Sequence, residues 1–86
     1  MRVYTEKNSG KKCYIKYDSN KGNHFVMNEN YERMDINFYC CAFTDVDLKM
    51  KDKSIVNLSM GEVLFFDSDN PPVATKFFMQ KRFRKL

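Results

Sequence analysis

Residues 35–43 read Asp-Ile-Asn-Phe-Tyr-Cys-Cys-Ala-Phe, and both alternating rows of this run are largely apolar. Ile36, Phe38, Cys40 and Ala42 make one row; Asn37, Tyr39, Cys41 and Phe43 make the other. Successive side chains of a strand point to opposite faces, so a strand of this composition needs cover on both sides. That requirement places it at the centre of the fold. It excludes a flat sheet with one wet face, and six nearly apolar residues fall far short of the ~20 that a membrane-spanning helix needs.

The rest of the chain supplies short strands to surround it. Val46, Leu48 and Met50 alternate with Asp45, Asp47, Lys49 and Lys51, and the alternation resumes at Val56, Leu58 and Met60 after a polar break at 51–54. Residues 45–60 therefore read as a hairpin. Gly61 marks a bend or bulge before Glu62-Val63-Leu64-Phe65-Phe66, a second run suited to burial on both faces. Upstream, Cys13, Ile15 and Tyr17 alternate with Tyr14, Lys16 and Asp18; the turn signal Ser19-Asn20-Lys21-Gly22-Asn23 follows, then His24-Phe25-Val26-Met27. Residues 2–6 form a leading strand, joined to the next through 7–11, and polar residues 28–33 form a loop or a single helical turn.

The tail admits two readings. Residues 67–72 are a turn or a helix entry. Beyond them, a helix would align Met79, Phe83 and Leu86, whereas a strand would align Phe77, Met79 and Phe83. The strand is preferred through about residue 81, because Phe77-Phe78-Met79 after a Pro-Pro turn suits a hairpin with 63–66. The expected architecture is thus one domain over residues 1–86, all-β or β-dominated α+β, with a small antiparallel sheet curled into an open barrel and at most one short helix.

Eighty-six residues leave little room for a deep cavity or a cofactor fold. No glycine-rich phosphate loop stands among the three glycines, and no metal-ligand spacing links His24 with Cys13, Cys40 and Cys41. The adjacent Cys40 and Cys41 are poorly placed to pair with each other, and the polar start of the chain lacks the look of a signal peptide. The expectation is a cytoplasmic, non-enzymatic binding protein with reduced thiols and no cofactor.

Charge is the most informative functional feature. The net of +4 conceals six basic groups against two acidic in residues 1–28, four against nine in 29–69, and five against none in 70–86. If the first and last strands are neighbours, Arg2, Lys11, Lys12, Lys16, Lys76, Arg82, Arg84 and Lys85 form one basic surface. Tyr4, Tyr14 and Phe78 would then present rings to it. Lysines and arginines bind a phosphate backbone and exposed rings stack on bases, so the residues point to RNA, single-stranded DNA or another polyanion.

A second class of function is protein recognition. Abundant Phe and Tyr, together with Met27, Met34, Met50, Met60 and Met79, exceed what so small a core readily buries, and leftover apolar surface marks an interface. An acidic surface from Glu29, Glu32, Asp35, Asp45, Asp47, Asp67 and Asp69 would suit a basic partner. In its Lys-, Asn- and Phe-rich composition and terse loops the chain resembles the small accessory proteins of bacteriophages and other viruses. That resemblance implies an inhibitor or adaptor acting on a host protein; a homodimer fits the same surfaces.

Overall fold

The structure is a computed structural model and describes residues 2–41, 45–76 and 83–85. Their strands, in chain order, are β1 (Arg2–Glu6), β2 (Lys12–Asp18), β3 (Asn23–Met27), β4 (Arg33–Met34), β5 (Asn37–Cys41), β6 (Val46–Lys49), β7 (Ile55–Leu58), β8 (Glu62–Phe66), β9 (Val73–Lys76) and β10 (Phe83–Lys85). There is no helix among the described residues. The strands divide into a seven-stranded sheet, ordered β10-β5-β8-β1-β2-β3-β4, and a three-stranded sheet, ordered β7-β6-β9. Pairing is antiparallel throughout except for β1 with β8, which run parallel.

The larger sheet curls on itself without closing, giving the open barrel expected of the chain. Its concave side gathers Tyr4, Cys13, Ile15, Val26, Phe38, Cys40 and Val63 into one core, with Met34 and Phe65 packed against it. On the opposite side of β5 and β8, Cys41 and Leu64 meet Val46, Leu48 and Leu58 of the smaller sheet in a second core. Strand alternation does this directly: Phe38 and Cys40 face one core while Cys41 faces the other. Both strands with apolar rows on each face therefore lie in the middle layer, as their sequences demand. All three cysteines are buried and none forms a disulfide.

Two hairpins that shape the site use one turn device. In the β1–β2 turn the carbonyl of Glu6 accepts from Gly10 N at 2.8 Å, and its Oε2 accepts from Asn8 N at 2.7 Å and Ser9 N at 3.3 Å. In the β2–β3 turn the carbonyl of Asp18 accepts from Gly22 N at 2.8 Å, and its Oδ1 accepts from Asn20 N at 3.0 Å and Lys21 N at 3.3 Å. Both glycines have φ of +70°, where a Cβ is costly. An acid followed four residues later by glycine thus fixes each turn, and through it the register of β1, β2 and β3.

The tail departs from expectation. β9 pairs with β6, not with β8, and a register shift separates its partners at Asp47 and Leu48. β8 pairs with β5 over Val63–Phe66 on one edge and with β1 at Glu62 and Val63 on the other. β10 pairs with β5 instead. Residues 77–82, which carry the proposed Phe77-Phe78-Met79 strand, lie outside the described residues.

Candidate polyanion-binding face

The hairpin registers build a solvent-facing surface on the convex side of β1 to β4. Val3 pairs with Tyr14, Tyr14 with Met27, and Met27 with Arg33, so these four side chains form one row across four strands. Lys12 stands opposite Thr5, and Lys16 opposite Phe25, on the same side of β2 as Tyr14. The three β2 residues alternate with Cys13 and Ile15, which face the core. Lys12 and Lys16 are exposed and lie roughly 7 Å to either side of Tyr14 along the strand.

Tyr31 completes the surface. It comes from the β3–β4 loop, is 59% exposed, and stacks on Tyr14 with centroids 4.6 Å apart and planes 14° from parallel. The neighbouring Tyr31 hydroxyl raises the pKa of Tyr14. Asn28 holds the loop: its Oδ1 accepts from Asn30 N at 2.9 Å and Glu32 N at 3.0 Å, and its carbonyl accepts from Tyr31 N at 3.0 Å. This winding leaves Tyr31 at φ of +63°, a left-handed conformation that a Cβ disfavours.

Charge on this face is partly committed. The guanidinium of Arg33 sits 4.4 Å from the Phe25 centroid, and its Nη1 is 3.3 Å from Asp18 Oδ2. Desolvation raises the Asp18 pKa, but the Lys21 N–H, the Arg33 guanidinium and the Asn20 N–H outweigh it, and the net shift is downward. Lys11 faces Glu29 at 3.9 Å. No ion pair among the described residues engages Lys12 or Lys16.

The expected site residues are dispersed more widely than one patch. Arg2 is exposed but belongs to the opposite row of β1, in register with Ile15 and on the same side of the strand as the buried Tyr4. Tyr4 is not an exposed ring: it is buried, because it shares that row with Glu6 and pairs with Cys13 over the first core. β10, with Arg84 and Lys85, is four strand positions from β2, roughly 19 Å along the sheet. The expected adjacency of first and last strands therefore fails, because β5 and β8 intervene. Lys76 ends β9 in the smaller sheet, opposite Asp47. Phe78 and Arg82 lie outside the described residues.

Lys12, Lys16 and Tyr14 thus share one face; Tyr31, Phe25 and Arg33 join them without a role expected from the sequence, and Met27 joins them although the sequence suggested it for a protein interface. The signal for Tyr31 was a lone aromatic inside a polar loop. The nearest thiol, Cys13, points inward; burial and then the charge of Glu6 push its pKa up from 9.0 to about 11, which opposes formation of a nucleophilic thiolate. Among the described residues no three His, Cys, Asp or Glu side chains are grouped to hold a metal. Comparison with protein-family models, curated proteins and solved structures found no match.

Proposed function

We propose that the convex face of β1 to β4 binds nucleic acid, RNA or single-stranded DNA, or another polyanion, and acts without catalysis. The observation that carries this is the pair Lys12 and Lys16, exposed and outside any ion pair among the described residues, bracketing the Tyr14–Tyr31 stack. Cations beside exposed rings supply the two interactions that nucleic acids accept, phosphate contact and stacking. The test is Lys12→Glu with Lys16→Glu, titrated against labelled oligonucleotide at about 50 and 200 mM salt. Loss of binding and a shallower salt dependence support the assignment; wild-type affinity in the double variant refutes it.

A second reading rests on the outer face of the three-stranded sheet. Ile55 and Val73 are 56% and 66% exposed and both stand in register with Lys49, so two aliphatic side chains flank one lysine across three strands. This row favours a protein contact, with a host protein or a second copy of the chain. Ile55→Asp with Val73→Asp tests it: sedimentation or partner capture unchanged by the pair removes this reading.

A further inference from the structure

Resting on the polyanion reading of the same face, we infer that its ligand is single-stranded nucleic acid, with one unpaired base stacked on the solvent side of Tyr31 and neighbouring phosphates on Lys12 and Lys16. Three features lead there. The inner side of the Tyr31 ring is occupied by Tyr14, so the pair presents one broad aromatic platform in place of two separate edges. Tyr31 remains 59% exposed although it is a large aromatic residue, on the short β3–β4 loop of residues 28–32 held by Asn28. It also keeps a left-handed backbone that glycine or asparagine adopts more readily. The stack on Tyr14 only about offsets the cost of that backbone, so stability alone does not select tyrosine there, and residues held in such conformations concentrate at ligand sites.

The charges select the same ligand. Asp18 and Glu29 are engaged by Arg33 and Lys11, which leaves Lys12 and Lys16 to face a polyanion on either side of the platform. A duplex keeps its base faces within its own stack and offers Tyr31 only backbone and groove edges. An unpaired base has a free π-face, and stacking on it tolerates any sequence. Asn28 is a positioning residue in this scheme, since it holds the Tyr31 loop and reaches the ligand only through it.

The experiment measures anisotropy with four probes: an oligothymidylate and an oligouridylate of roughly twelve nucleotides, a duplex of matched length, and heparin, which has charge but no bases. The wild-type protein is expected to prefer both single strands to the duplex. Tyr31→Ala is expected to weaken single-strand binding about five-fold or more while leaving heparin binding unchanged, and Tyr31→Phe to retain it. Tyr31→Gly, which suits the positive φ, is the second variant should the alanine form fail to fold. Equal affinity for duplex and single strand, or equal losses on heparin and oligonucleotide, overturns the inference and leaves the polyanion reading standing. Absence of binding to every probe at about 50 mM salt overturns both.

Discussion

Tyr31 lies nearly flat on Tyr14, 4.6 Å between centroids, although one ring comes from the β3–β4 loop and the other from the middle of β2. The contact ties the loop to the sheet face and sets the aromatic platform between Lys12 and Lys16. Tyr31 is also one of two non-glycine residues with positive φ among those described, so substitutions there can separate its effect on stability from its proposed role in binding.

Tyr31→Gly relieves a left-handed backbone worth about 1–2 kcal/mol, and gives up a ring contact worth about 0.5–1.5 kcal/mol together with some chain entropy. These nearly cancel. Urea unfolding is expected to place the variant within about 1 kcal/mol of wild type, with single-strand binding reduced; a large loss of stability would show the stack to be chiefly structural.

Lys53 supplies the contrast. It has φ of +68°, is exposed, and its N–H donates to the Met50 carbonyl at 3.0 Å, a bond glycine retains. With no ring to lose, Lys53→Gly is expected to stabilise the fold by about 0.5–1 kcal/mol. The check is a rise in the urea midpoint at constant slope, with nucleic-acid affinity unaltered.

The second core depends on Leu48, which is fully buried between Leu58 and the middle strands, whereas Ile55 lies on the outer face of the same small sheet. Leu48→Ala is expected to cost about 2–5 kcal/mol and Ile55→Ala about 0.5 kcal/mol or less. Equal costs in chemical denaturation would contradict the separation of the two faces.

Alkaline pH is expected to weaken the fold. Burial raises the Cys13 thiol to about 11, and burial likewise raises the hydroxyls of Tyr4 and Tyr39. Between pH 9 and 11 the unfolded chain releases the Cys13 proton while the folded chain keeps it. Unfolding then releases protons, so stability is fully present below the unfolded pKa and declines as pH rises through that window, by at most about 1.4 kcal/mol per unit for this one group. Denaturation midpoints measured across the range test the sign; a Cys13→Ala variant should lose part of the slope.

The middle layer was legible in the sequence because β5 and β8 each carry apolar residues on both alternating rows, a pattern only a doubly covered strand satisfies. The β2–β3 hairpin was equally plain from Asp18 to Gly22. The parallel contact of β1 with β8 was not, since strand partners far apart in the chain leave no local mark. That contact takes part of the second edge of β8, at Glu62 and Val63, while β9 pairs with β6. The site was half visible: Lys12, Tyr14 and Lys16 follow from period-two alternation, but Tyr31 depends on a left-handed loop closed by Asn28. Tyr4 is buried and not exposed, because alternation shows which residues share a face without showing which face is wet.

The most direct test of the proposed polyanion-binding face is amide chemical-shift mapping during titration with an oligothymidylate at low salt. The expected result is a contiguous set of perturbed signals at Lys12, Tyr14, Lys16, Met27 and Tyr31, with Ile55 and Val73 unmoved. Shifts confined to the Ile55 and Val73 face, or no shifts at saturating oligonucleotide, would contradict it.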